Sequence, residues 1–248
     1  MYQPRDYRHW IKDGDLVSFR VAVKETDLHI RSHRILGTEA LEAVQEARAS
    51  LEGYIDLHPD FKTALEPLIA SEDAPSIVRE MAQAAALVGV GPMAAVAGAI
   101  AERVGRRLMR LSPEVIVENG GDIFLASSKR RTVGVYAGDS PFTGKLALQI
   151  EAEETPLGIC TSSGTVGHSL SFGNADAVIV LSPSTALADA AATAIGNIVK
   201  QDSDIDKGIQ FAQGIAGLKG VAIIKGSLLG VWGEIKLVGN EDEDGEGQ

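Results

Sequence analysis

Two oxygen-bearing side chains, Asp189 and Thr193, stand in the alanine-rich run of residues 186–194. The run favours a helix, and a spacing of four residues places the carboxylate and the hydroxyl on one face of it. Such oxygens suit Mg²⁺, which takes its remaining ligands from water and phosphates, so the pair is a candidate metal site. Two structural roles are the alternatives. Asp189 would interact favourably with the helix dipole from the first turn, and Thr193 would bond a backbone carbonyl.

A glycine pair forms the second candidate, in the segment Asn119-Gly120-Gly121-Asp122 between two apolar runs. Glycine tolerates positive φ and therefore permits a tight turn, and its lack of a Cβ lets the backbone approach a ligand. A turn that lines a ligand is the functional interpretation. Asn-Gly between strands is also a strong hairpin signal, so a plain turn is the competing interpretation.

The third candidate, residues 160–168, combines hydroxyls, glycines and one histidine. Successive N–H groups in such a loop form an anion-binding nest, and the hydroxyls add donors to a phosphate or a flavin edge. A Ser/Gly-rich connecting loop is the structural alternative. A hydrolase is a further alternative, with Cys160 or Ser163 as the nucleophile and His168 as the base, although the segment lacks nucleophile-elbow spacing.

The elements that must position these residues do not follow a strict βαβ rhythm, which predicts an α+β fold with a mostly antiparallel sheet packed with helices. Alternating apolar residues predict a strand over 16–23 and a return strand over 28–33. Helical spacing predicts helices over 38–53, over 60–70, after Pro75 and over 93–111. In the second half, the pattern predicts strands at 114–118, 123–126, 132–136, 146–152, 177–181, 221–224 and 234–238, and helices at 185–200 and 205–214.

Composition and charge exclude several function classes. The chain of 248 residues is 45% hydrophobic and 23% charged, which predicts a folded globular protein rather than a disordered one. Its net charge of −11 argues against nucleic acid as a partner, because such binding rests on Lys and Arg. No run of ~18 apolar residues predicts a membrane span, and residues 1–8 lack the apolar core of a signal peptide. With Cys160 as the only cysteine, a cytoplasmic location is expected.

The order of the three segments resembles the ApbE-like flavin transferase family, whose pattern runs N-G-G-D, then T-S-G before a histidine, then A-D-A-x-A-T-A. Residues 119–122, residues 161–164 leading to His168, and residues 188–194 carry this resemblance. Two departures mark the chain as a divergent branch. Residues 88–95 lack the D-x-G-x-x-K-G segment of many members, and no Asp-Pro follows His168. We therefore expect a single ApbE-like α+β domain over 1–239 and a disordered acidic tail over 240–248.

The resemblance implies Mg²⁺-dependent processing of FAD, either by transfer of FMN to a threonine of a partner protein or by cleavage of the FAD pyrophosphate. It implies Asp189 and Thr193 as the metal ligands and His168 as the catalytic residue. The implied cofactor-binding residues are Asn119, Gly120, Gly121, Asp122, Thr161, Ser162, Ser163 and Gly164. Expected partners are a flavin or related nucleotide and a flavin-accepting protein, and a homo-oligomer is left open. The alternative is a flavin- or nucleotide-binding module without the transferase chemistry, since residues 82–109 contain no Lys or Asp.

Overall fold

A computed structural model of the chain describes residues 14–165 and 172–239. A layer of helices, a large sheet and a small sheet are stacked in that order. The strands are β1 Val17–Val23, β2 Thr26–Ser32, β3 Val115–Asn119, β4 Asp122–Ala126, β5 Arg131–Gly134, β6 Leu146–Ile150, β7 Leu157–Ser162, β8 Ala177–Ser182, β9 Gly220–Lys225, β10 Leu228–Gly233 and β11 Leu237–Gly239. The helices are α1 Gly37–Leu57, α2 Asp60–Thr63, α3 Ser76–Val88, α4 Val96–Leu108, α5 Thr185–Ile198 and α6 Ile205–Gln213.

The large sheet has the strand order β1-β2-β3-β4-β7-β8-β9-β10, and the small sheet has the order β11-β6-β5. Every strand pair described is antiparallel. The helices α1 to α4 all lie in the connection between β2 and β3, which are themselves neighbours in the sheet. The predicted α+β class with a mostly antiparallel sheet is therefore confirmed.

The central strands β3 and β4 are buried on both faces, because the helices cover one face of the large sheet and the small sheet covers the other. Alternate residues therefore enter two different cores. Phe124 of β4 packs on the helix side, whereas Ile123 and Leu125 pack on the small-sheet side. This alternation decides which side chains near the strand ends face the helices.

The helix layer turns sharply between α3 and α4. Gly89 ends α3 in the left-handed conformation with φ +74°, which glycine adopts without strain. A 3-10 turn over Pro92–Ala95 leads into α4, and the segments Ser76–Val88 and Pro92–Leu108 meet at 106°. Among the described residues, no single helix combines the length and the apolar composition of a membrane span, and only this bent pair meets both requirements when its two members are taken together.

Several predicted elements differ from those observed. The helix predicted over 60–70 ends at Thr63, because Ala64 is extended and Pro67 lacks the N–H that a continuing helix needs. The strand predicted over 234–238 is the short β11. Two strands were not predicted, β7 and β10, because glycine and hydroxyl residues interrupt their apolar pattern.

A buried ion cluster joins the two sheets. Glu114, just before β3, accepts hydrogen bonds from the hydroxyls of Ser127 and Ser128 and pairs with Arg131 of β5 at 2.9 Å. Arg131 also pairs with Asp15 at 2.7 Å. Burial opposes ionisation of Glu114, but these hydrogen bonds outweigh it and lower the pKa of the carboxyl to about 2.

The cluster predicts an acid-dependent loss of stability. A carboxyl whose pKa is lower in the folded than in the unfolded state stabilises the fold above the unfolded pKa of 4.5. We expect that contribution to disappear as the pH falls from about 4.5 to about 2. Urea unfolding at pH 7, 4 and 3 should therefore show the wild type approaching the less stable Glu114→Gln variant as the pH falls. The exposed Glu153→Gln variant is the control, and a pH-independent gap for Glu114→Gln would contradict the assignment.

Candidate functional site

One residue from each of the three sequence motifs, Asp122, Cys160 and Asp189, lies on the helix-facing side of the large sheet. The register pairs Ile123 with Ile159, so Asp122 at the start of β4 lies beside Cys160 of β7. The turn between β3 and β4 and the β7 strand therefore form one wall. Helix α5, which carries Asp189 and Thr193, packs directly against β7, β8 and α4.

Asp189 meets the N-terminus of α4. Its carboxylate accepts a hydrogen bond from the backbone N–H of Gly98 at 2.8 Å and another from the N–H of Ala97. These donors belong to the first turn of α4, where backbone N–H groups have no acceptor within the helix and the helix dipole is positive. The site residue predicted as a metal ligand thus also caps a neighbouring helix.

The two helices cap each other. The Glu102 side chain of α4 accepts the backbone N–H of Thr185, the first residue of α5, at 2.7 Å. This contact and the Asp189 contact together hold α4 and α5 at close range. Gly98 permits the approach, because a Cβ there would lie 2.4 Å from the Thr185 carbonyl oxygen and 2.8 Å from the Asp189 Cβ.

The turn between β3 and β4 is tied to the same helix end. The Asn119 side chain donates a hydrogen bond to the Ala97 carbonyl oxygen at 3.1 Å. Gly120 and Gly121 have φ values of +69° and +111°, a region where a side chain would be strained. The Gly121 N–H donates to the Glu118 carboxylate at 3.0 Å, so an acidic side chain fixes the turn from within. The segment is therefore both a tight turn and a neighbour of Asp189.

Two carboxyl groups of the site resist ionisation. Burial, followed by the charge of Glu118, raises the pKa of Asp122 to about 7, against hydrogen bonds from the Cys160 thiol and the Thr161 N–H. Burial, followed by the charge of Asp122, raises the pKa of Asp189 well above its usual range. No basic side chain contributes to either shift. No basic group therefore offsets the cost of ionising the two carboxyl groups, and their neutral forms are favoured.

Cys160 is a poor nucleophile in this environment. Its thiol is fully buried and lies 3.4 Å from the Thr185 carbonyl oxygen. Burial, followed by the charges of Asp122 and Asp189, raises the pKa of the thiol, which disfavours the reactive thiolate. The structure therefore argues against Cys160 as the nucleophile of a hydrolase.

The buried thiol gives a direct prediction. Because Cys160 is the only cysteine, a thiol-specific reagent reports on it alone. We expect labelling to be negligible in the native protein and complete in denaturing urea, since the thiol is inaccessible and protonated until the chain opens. Rapid labelling of the folded protein would contradict this and would restore Cys160 as a candidate nucleophile.

The predicted hydroxyl loop divides into a strand and a loop. Thr161 and Ser162 belong to β7, and alternation places Ser162 with Cys160 on the helix side but Thr161 on the small-sheet side. The Thr161 side chain therefore points away from Asp122, and its backbone N–H reaches that carboxyl; its predicted cofactor-binding role stays a prediction. Ser163 is hydrogen-bonded to Thr165, and the N–H of Gly164 donates to the Ala175 carbonyl oxygen at 2.9 Å.

Of the remaining predicted site residues, the structure describes Thr193 but not His168. Thr193 is half-buried and lies one turn after Asp189 on α5. His168 lies outside the described residues, so its predicted catalytic role remains a prediction. In the part of the chain that is described, no group of three His, Cys, Asp or Glu side chains is arranged to hold a metal ion.

Sequence reasoning missed the residues of α4 that organise the site. Ala97 and Gly98 contribute through their backbone, and Glu102 acts across the helix pair. A backbone contact leaves no signature in side-chain types. The one available signal was Gly98, a glycine inside an otherwise strong helical pattern, which often marks close packing.

Comparison with known proteins shows the family. A family model described as "AbpE bacteria" matches residues 8–215. A UPF0280 protein of Methanococcus aeolicus is 37% identical over 92% of this chain and 94% of its own length. One from Methanosarcina barkeri is 41% identical over 89% of this chain and 88% of its own length.

Solved structures show the same fold at low sequence identity. The flavinyl transferase ApbE of Pseudomonas stutzeri, in its apo form, has a TM-score of 0.54 at 16% identity and covers 88% of this chain and 93% of its own. The ApbE protein of Thermotoga maritima also has a TM-score of 0.54, at 13% identity, and covers 88% of this chain and 97% of its own. Together with the three sequence motifs, these matches identify the chain as a member of the AbpE bacteria family, related to the UPF0280 proteins and built on the ApbE fold.

Proposed function

We propose that the protein processes FAD in a Mg²⁺-dependent reaction, cleaving the pyrophosphate and either transferring FMN to a hydroxyl of a partner protein or releasing FMN and AMP. One observation carries the proposal. Asp189 accepts hydrogen bonds at the N-terminus of α4, the charge of the nearby Asp122 acts on it, and burial raises the pKa of both carboxyl groups. Carboxylates in this situation favour a cation, because a positive charge offsets the cost of ionising them out of water.

The donor set fits Mg²⁺. Asp189 and Thr193 supply a carboxylate and a hydroxyl one helical turn apart, and both are hard oxygen ligands. Asp122 adds negative charge close to Asp189. The absence of a third acidic or histidine ligand among the described residues suits an ion that keeps water and phosphate oxygens in its shell.

The residues around the carboxylates would hold and orient the substrate. The glycine turn at Gly120 and Gly121 offers backbone without a Cβ, and nothing lies within 4 Å of the Cβ position at Gly120. Flavin-nucleotide phosphates can therefore approach this turn closely. Ser162, on the helix side of β7, and Ser163 supply hydroxyls at the end of the same wall.

The chemistry follows from charge. In pyrophosphate cleavage a P–O bond to AMP breaks as an acceptor oxygen bonds to the FMN phosphorus, and negative charge builds on the phosphoryl oxygens. Bound Mg²⁺ would neutralise that charge. Asp122, which lies close to Asp189, would accept the proton of the attacking hydroxyl. Asp189 keeps its orientation through the N–H groups of α4.

A flavin-binding module without this chemistry is the second candidate function. It is favoured by the absence of Lys and Asp from residues 82–109, which include the first turn of α4 beside Asp189. A lysine in this segment would place a positive charge beside the pyrophosphate, and residues 82–109 contain no lysine. Such a module would bind flavin and leave it intact. On either function, we propose a cytoplasmic protein with a flavin nucleotide as its partner.

Incubation of the purified protein with FAD, with and without Mg²⁺, separates the two functions. Release of AMP and FMN only when Mg²⁺ is present supports the proposed reaction. A thermal midpoint raised by FAD with no AMP release supports the binding module. If saturating FAD and Mg²⁺ cause no AMP release and no shift of the thermal midpoint, FAD is ruled out as the ligand.

A further inference from the structure

The eight-stranded sheet ends in two edges of different character. β1 forms one edge and carries Arg20 in its middle. β10 forms the other edge, with the sequence Leu-Leu-Gly-Val-Trp-Gly, and has no charged residue. Natural sheets usually protect an edge with charges, because its free N–H and C=O groups otherwise pair with another strand. β10 lacks this protection.

The exposed side chains of β10 are apolar. Leu228 is 47% exposed and Val231 is 45% exposed. Within the described residues, β10 pairs with β9 alone, so one side of the strand has no neighbour in the sheet. An uncharged six-residue edge with exposed apolar side chains is a surface on which a further strand can pair.

Neither of the segments 1–13 and 240–248 suits this strand. Residues 1–13 join the structure beside β1, at the opposite edge. The distance across the seven strand spacings to β10 is ~34 Å, and 13 fully extended residues span ~43–47 Å. About three residues would therefore be left to pair with β10, too few for a strand. Residues 240–248 contain five acidic side chains and no apolar one, a composition unsuited to a strand.

We propose that β10 pairs with β10 of a second copy of this chain, in an antiparallel homodimer that continues the large sheet. Two identical edges meet around a two-fold axis, which suits β10 because it brings no like charges together. An axis perpendicular to the sheet keeps both helix layers on the same side. Helix α6, which packs over β9 and β10, would then lie next to α6 of the second copy and extend the contact beyond the strand.

Light scattering coupled to size exclusion tests the dimer on the full chain. We expect the wild type to have twice the chain mass of 26.1 kDa and the Val231→Lys variant to have half the wild-type mass. Val17→Lys on the other edge strand is the matched control, since Val17 is 41% exposed, and this variant should remain dimeric. A monomeric wild type at every concentration tested would overturn the proposal.

Hydrogen exchange on the wild type tests the same surface without a substitution. If β10 is paired, its amides that point away from β9 should exchange slowly in the concentrated protein and faster on dilution to the monomer. Such a result supports the proposal even where Val231→Lys fails to fold. Fast exchange of these amides in a dimeric sample, or a folded Val231→Lys variant that stays dimeric, would show that another face forms the dimer and would overturn it.

Discussion

Replacement of Asp189 by asparagine is expected to abolish Mg²⁺-dependent release of AMP from FAD and to leave the fold intact. Loss of a metal ligand that neutralises developing charge should raise the barrier by several kcal/mol, and each ~1.4 kcal/mol is a tenfold loss of rate. The fold should persist, because the amide oxygen still accepts the N–H of Gly98 and because burial already disfavours the charged form of Asp189. The measurements are AMP release and the thermal midpoint without Mg²⁺.

The alanine variant separates the two roles of Asp189. Asp189→Ala removes the acceptor of the Ala97 and Gly98 N–H groups, and a buried donor without a partner costs ~1–3 kcal/mol. It should therefore lose both activity and stability, whereas Asp189→Asn should lose activity alone. Asp206→Asn, in the first turn of α6, is the control and should retain both. An Asp189→Asn variant that releases AMP at the wild-type rate would refute the metal-ligand role.

Replacement of Gly98 by alanine is expected to destabilise the protein. A methyl group would lie 2.4 Å from the Thr185 carbonyl oxygen, a backbone atom that cannot move without shifting α5. Overpacking of this kind costs ~1–3 kcal/mol or more, which outweighs the ~0.5–1 kcal/mol that alanine gains over glycine inside a helix. The free energy of urea unfolding measures the difference.

A second glycine provides the control for this experiment. Gly53 lies in α1 with nothing within 4 Å of its Cβ position. Gly53→Ala should therefore stabilise the protein by ~0.5–1 kcal/mol. Opposite signs at the two positions would show that the close contact of α4 with α5 determines the effect at Gly98. A stabilising Gly98→Ala would mean that the two helices are not held at this distance.

The sequence predicted most of the fold, because its strong patterns are local. The helices at 37–57 and 185–198 have long apolar repeats, and the β1–β2 hairpin alternates clearly. The strands that were not predicted are those whose residues are chosen by tertiary packing rather than by a local pattern. β7 contains Gly158, whose Cβ would lie 2.5 Å from the Thr185 Cα, so a residue that weakens a strand pattern is there to admit α5.

The sequence indicated the side chains of the candidate site, but not the backbone groups of α4 that contact them. The spacing of Asp189 and Thr193 correctly indicated one helical face, and the order of the motifs indicated that the three segments belong together. Two of them, through Asn119 and Asp189, meet at the first turn of α4, at Ala97 and Gly98. No side-chain type marks a residue that acts through its N–H group. The direction of the Thr161 side chain could be predicted only if β7 was recognised as a strand. Alternation along the strand then points this side chain away from Asp122.

The mutual capping of α4 and α5 makes their opening a shared event. If the first turn of α4 frays, Asp189 loses its donors, and if the first turn of α5 frays, Glu102 loses the Thr185 N–H. Each helix end is thereby protected by the folding of the other, which couples two segments over 80 residues apart in sequence into one cooperative unit. Native-state hydrogen exchange should therefore give the Gly98 and Thr185 amides a common opening free energy, and Glu102→Ala should lower both together.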